Sequence, residues 1–153
     1  MFVAVKSGAA YQLYTYTYEQ KTSGSDIITC VGKKDITSWA GGMSDDCKMF
    51  TNGVEVPLNY LYIAKGCDLW RTSYKSQADP KAVKSFPAPI TVISTPNTIS
   101  ENTKELYTAI FTYDTSAKTS KMYVLDARTD DLKAYSEVET AIPGKVVRYL
   151  ANQ

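Results

Sequence analysis

Leu58-Asn59-Tyr60-Leu61-Tyr62-Ile63-Ala64-Lys65-Gly66-Cys67-Asp68-Leu69-Trp70-Arg71-Thr72-Ser73-Tyr74 carries the clearest structural signal in the chain. Two runs rich in leucine, isoleucine and aromatic residues flank Lys65-Gly66, and glycine supplies the permissive backbone that a tight turn between antiparallel strands needs. The stretch reads as a β-hairpin. On its N-terminal side, residues 12–18 place Tyr14, Tyr16 and Tyr18 at alternate positions, and therefore on one face of a strand. On its C-terminal side, residues 106–113 and 121–126 form a second hairpin around the polar turn 114–120. Residues 90–93 and 145–149 are further short strands, each introduced by proline or glycine. Helical signals are confined to residues 79–85, bracketed by Pro80 and Pro87, and residues 100–106. An all-β fold with little helix is expected.

Repetition sharpens that expectation. Three units open with similar short strands, Phe2-Val3-Ala4-Val5, Leu61-Tyr62-Ile63-Ala64 and Tyr107-Thr108-Ala109-Ile110. In each, a second strand carries an aromatic after an apolar residue, at Leu13-Tyr14, Leu69-Trp70 and Met122-Tyr123. These aromatics stand at 14, 70 and 123, steps of 56 and 53 residues. Third strands follow at residues 26–31, 82–86 and 132–135, and fourth strands at 47–50, 90–93 and 146–149. Four strands in about 50 residues is the pattern of a propeller blade. The chain therefore reads as one β-repeat region over residues 1–153, with units 1–57, 58–103 and 104–153. Three blades do not close a ring, so the expectation is part of a larger propeller whose two end faces meet other protein chains or further parts of the same polypeptide. The alternative is a β-sandwich or barrel whose evenly spaced hairpins resemble repeats.

Composition narrows the chemistry. Lys+Arg 17 against Asp+Glu 16 leaves a net charge of +1, and the basic residues are scattered rather than arrayed along a stripe, which argues against a nucleic-acid partner. Histidine is absent, removing the usual general base near neutral pH and the commonest zinc ligand. Cys30, Cys47 and Cys67 lack C-x-x-C spacing, so neither a metal knuckle nor a redox motif is expected. With no histidine to activate a thiolate, they are not read as nucleophiles. No nucleotide-binding glycine motif occurs, and no cofactor is expected. The N-terminal residues 1–8 read as a strand and turn rather than a signal peptide, consistent with a cytosolic protein or with the mature or truncated part of something larger.

The candidate binding residues are Trp39, Asp45 and Asp46. Trp39 precedes Ala40-Gly41-Gly42 and is the best candidate for an exposed aromatic platform, against the alternative of a ring packed over a sheet edge. Residues 40–46 are expected as an exposed loop. Asp45-Asp46 and Asp130-Asp131 are acidic pairs, but no calcium-loop pattern surrounds them. A glycosidase would need two facing carboxylates, for which Asp45, Asp46, Glu101 and Glu105 are the available groups. Trp70 occupies a position held by tyrosine in the other units and is read as core. If the chain is exported, Cys47 and Cys67 are the pair best placed for a disulfide, because a fourth strand and the following hairpin should be neighbours.

The last two units resemble the C-terminal propeller region of the PKD-like family of Bacteroidetes surface lipoproteins. The residues that carry the resemblance are Tyr60-Leu61-Tyr62-Ile63-Ala64-Lys65-Gly66-Cys67-Asp68-Leu69-Trp70-Arg71, Glu105-Leu106-Tyr107-Thr108-Ala109, Lys121-Met122-Tyr123-Val124-Leu125-Asp126 and Pro143-Gly144-Lys145-Val146-Val147. The resemblance implies a non-enzymatic module at the outer membrane, on the cell surface, lipid-anchored through a segment outside these residues. It also implies a TonB-dependent transporter and a surface-binding lipoprotein as partners, and glycans or peptides as ligands.

Overall fold

Where tyrosine alternates with threonine the chain forms a long, half-buried strand; where apolar residues run without a break it forms strands buried on both faces. The computed structural model describes residues 1–51, 60–73, 75–94, 107–126, 132–133 and 141–147. Two compact units divide the chain, Met1–Asp45 and Asp46–Gln153. The first holds β1 (Phe2–Ser7), β2 (Ala10–Glu19) and β3 (Ile27–Asp35), an antiparallel sheet in the order β1-β2-β3. Directly paired residues share a face, so the register Val3↔Tyr14↔Lys33 and Tyr18↔Ile28 sets Val3, the tyrosines and Ile28 together. A bulge at Thr15/Tyr16 leaves Val31 without an opposite residue. Leu13, on the other face of β2, is buried, as are Ile36, Trp39 and Ala40 beyond β3.

The second unit contains two larger antiparallel sheets. One runs β4-β5-β6-β7, from β4 (Lys48–Thr51), β5 (Tyr60–Lys65), β6 (Asp68–Ser73) and β7 (Lys81–Ser85). The other runs β8-β9-β10-β11, from β8 (Ile90–Ser94), β9 (Tyr107–Asp114), β10 (Thr119–Asp126) and β11 (Leu132–Lys133), with the short β12 (Ile142–Pro143) also paired to β10. The β5–β6 turn uses Gly66 at a φ of 57°, as its glycine predicts. Leu61, Tyr62, Ile63 and Ala64 are consecutive and all buried, as are Thr108 to Thr112. Successive residues point to opposite faces, so the inner strands β5 and β9 are covered on both sides. One continuous core joins them: Tyr62, Ala64 and Leu69 from the first, Ile90, Ile93, Ile110 and Leu125 from the second, and Phe86 between. Arg71 lies 3.8 Å over the Tyr60 ring at one margin.

The all-β class holds: the described residues form three antiparallel sheets, none closed into a barrel. The barrel alternative is thereby set aside. The hydrogen bonding also shifts the phase of the units. Residues 47–50 and 90–93, expected to end the first and second units, instead form the outer strands β4 and β8 of the next sheets, paired to β5 and β9. Lys48↔Ala64 and Ile93↔Ile110 are such pairs. Residues 79–85, one of the two helical candidates, contain β7. Near the C-terminus, β12 precedes the strand expected at 146–149, and Val146 and Val147 lie outside any strand. The region 100–106 lies outside the described residues.

Candidate binding groove

Strand alternation assembles a set of polar side chains on β9 and β10. Asp114 pairs with Thr119, Thr112 with Lys121 and Ile110 with Tyr123, so Thr112, Asp114, Thr119, Lys121 and Tyr123 all face the same way. At the Tyr123 end this face is core; towards the β9–β10 turn it becomes polar. There, with Pro87 and Ala88 as a second wall, these side chains line an open groove of about 280 Å³.

The walls are held from behind. The Phe86 N–H donates to Cys67 O at 3.0 Å, the Ile90 N–H to Gly66 O at 2.9 Å and the Tyr113 N–H to Pro89 O at 2.9 Å. These bonds pin the Pro87-Ala88 segment between the β5–β6 turn and β9. Phe86 meets Tyr123 edge to face at 5.0 Å between ring centres, which orients the tyrosine. Asp114 Oδ1 accepts from the N–H groups of Ser116 at 2.8 Å and Ala117 at 3.1 Å. Those two donors, Ala117 first, hold the carboxyl below the ordinary aspartate range, and the nearby Lys121 ammonium acts in the same direction. The groove thus presents a carboxylate, an ammonium, the Thr119 hydroxyl and a tyrosine against a small apolar wall, with Thr112 buried at its floor. Such a set can hold a polar ligand by exchanging hydrogen bonds; it contains no nucleophile paired with a base.

The residues singled out from sequence lie elsewhere and do not form one site. Trp39, the candidate for an exposed platform, is 1% exposed, in line with the alternative of a packed ring. The cause is local: Ala40, Gly41 and Gly42 all have positive φ, and Gly42 N–H to Trp39 O and Met43 N–H to Thr37 O close the chain back on itself. That reversal turns the indole inward, and Ala40, expected in an exposed loop, is buried with it. Asp45 is exposed but engaged, accepting from Lys6 Nζ at 2.7 Å and from the Tyr11 hydroxyl at 2.5 Å. Both bonds, Lys6 first, lower its pKa, and the same bonds raise those of Lys6 and Tyr11. Asp46 is exposed. Trp70 is half-buried on β6.

All three cysteines are in the thiol form, Cys30 exposed and Cys47 and Cys67 half-buried, so the Cys47–Cys67 bridge is not formed. Cys47 leads into β4 and Cys67 into β6, with β5 between them. Two strand spacings come to roughly 10 Å, beyond the Cα separation a disulfide spans. Glu101, Glu105, Asp130 and Asp131 lie outside the described residues. Among the described residues no three Cys, Asp or Glu side chains gather as metal ligands, and no helix is long and apolar enough to cross a membrane. The groove residues escaped the sequence reading because they belong to no motif. Their one signal is polar alternation on both arms of the hairpin, Thr112/Asp114 and Thr119/Lys121. No protein-family model, curated protein or solved structure matches the chain.

Proposed function

We propose that this chain is a non-enzymatic binding or accessory module of a bacterial cell-surface uptake complex, built from propeller-type blades and capturing glycans or peptides. In this reading it works at the outer membrane beside a TonB-dependent transporter and a surface-binding lipoprotein. The observation that carries it is the pair of stacked, sequentially ordered antiparallel sheets whose inner strands β5 and β9 are buried on both faces, as the inner strands of a blade between neighbours are. The groove on the second of these sheets supplies a place for a ligand. The test is an equilibrium-binding panel of glycans and peptides with product analysis. Saturable binding without turnover supports the module; hydrolysis of any glycan replaces it with a glycosidase.

A second reading, a structural or adhesin component contacting protein, draws on a different observation. Val3, Val5, Tyr18, Ile27, Ile28 and Val31 are exposed on the first sheet, an apolar concentration of the kind that marks protein contact. A blank panel with retained protein association would favour it.

A further inference from the structure

We infer that the β9–β10 groove is a subsite for one neutral pyranose ring, such as the end residue of a glycan. The inference rests on the reading of the chain as a binding module and names the ligand class of its groove.

Four observations select that class. Asp114 and Lys121 contribute one charge of each sign, so the lining offers no net attraction to a phosphate, a sulfate or a polyamine. It offers instead a two-by-two set of donors and acceptors in the strand register, Asp114 opposite Thr119 and Thr112 opposite Lys121, with the two charged groups on one diagonal and Thr112 buried at the floor. Hydroxyls of a sugar ring match such a set: one donates to the Asp114 carboxylate while another across the ring accepts from the Lys121 ammonium, and hydrogen bonds to charged groups are the stronger kind. Pro87, Ala88 and Tyr123 supply apolar surface for the C–H face of the ring. At about 280 Å³ the groove falls just below the usual small-molecule range of roughly 300 to 1,000 Å³, a size for one ring rather than a chain.

Topology argues against an extended peptide at this place. Strand addition needs an open sheet edge, but β9 is paired on both sides by β8 and β10, and β10 by β9 on one side and by β11 and β12 on the other. What remains accessible is side chain, which reads a compact ligand. The walls are also in place beforehand: three backbone hydrogen bonds fix Pro87-Ala88, the Phe86 ring fixes Tyr123, and the turn amides fix Asp114. Little ordering accompanies binding.

The experiment titrates the intact chain with a panel of methyl pyranosides and, separately, with free amino acids, following amide and side-chain NMR shifts. The wild type is compared with Asp114→Asn and Lys121→Met. In the Asp114→Asn variant the side-chain amide keeps an oxygen for the Ser116 and Ala117 N–H groups, so the turn is preserved, and melting curves check the fold of both variants. The expected result is saturable binding of at least one pyranoside in the millimolar range, with shifts at Thr112, Thr119 and Tyr123, weakened about tenfold by either substitution. Amino acids binding there in place of pyranosides would overturn the assignment. So would pyranoside binding that both variants retain; that outcome leaves the module reading standing with its site elsewhere. If the wild type binds neither pyranosides nor any oligosaccharide or peptide of the wider panel, the module reading falls as well.

Discussion

Asp45 and Asp114 are both exposed carboxylates with lowered pKa, yet their partners give them different roles. Asp45 is tied to two side chains, Lys6 and Tyr11, and holds residue 45 against the β1–β2 hairpin. Asp114 spends one oxygen on turn amides, and its side chain lines a groove. A carboxyl whose native pKa lies below its unfolded value stabilises fully above the unfolded value, and that contribution is lost as pH falls through the native one. For Asp45 the ordinary value is 3.8 and the native one lower. Asp45→Asn is therefore expected to lower the melting temperature slightly near about pH 6, and the difference from wild type should shrink as pH falls below the ordinary carboxylate value and through the lowered native one. Paired melts across that range check it, and added salt should shrink the effect because the cluster is exposed. Trp39 behaves otherwise. It is the largest of the four buried apolar side chains of the first unit, with Lys34 Nζ 5.6 Å from its ring centre. Trp39→Ala should cost about 3–5 kcal/mol in urea unfolding. Nothing in its local sequence distinguishes an indole packed inside from one standing outside; the positive-φ run at residues 40–42 decides it.

Among the elements, the hairpins were the most legible part of the chain. Lys65-Gly66 and the polar run 114–120 announce their turns, and the strands on either side follow from apolar content and alternation. The kind of strand is legible too: Tyr14, Thr15, Tyr16, Thr17 and Tyr18 alternate and form a half-covered strand, whereas Leu61 to Ala64 are unbroken and form one covered on both faces. What escaped is the anchoring of residues 141–147. Ser120, on β10, is fully buried; its Oγ donates to Gly144 O at 2.8 Å and accepts from the Val146 N–H at 3.1 Å. No pattern in the sequence connects residues 24 to 26 positions apart. Ser120→Ala leaves both groups without that partner and should cost about 1–3 kcal/mol. Its specific signature is faster hydrogen exchange at the Val146 amide, with the β5–β6 amides unchanged.

Across the chain as a whole, the sheets are cut one strand out of phase with the units read from the sequence, since β4 and β8 pair forward to β5 and β9. In the second unit those sheets stack through one core. The sheet of the first unit keeps a face on which Val3, Val5, Tyr18 and Ile28 are exposed. Apolar surface in water drives association at about 25 cal/mol per Å² covered. Wild-type protein is expected to self-associate with rising concentration in sedimentation velocity, and Ile28→Lys, which sets a charge in that face, to shift it towards monomer without lowering the melting temperature. A wild type that stays monomeric throughout would show that this face needs no cover.

The class of fold and the hairpins could both be read from the order of residues. Those properties depend on local spacing, turn chemistry and two-residue periodicity, all of which lie within a dozen residues of one another. Folding in three dimensions was needed to establish which sheet each outer strand joins, and that Pro87, Asp114, Lys121 and Tyr123 share one groove. Each of these is a choice among long-range pairings of similar local propensity. Simultaneous backbone pairing and burial of both faces resolve that choice, and neither is encoded at any one position.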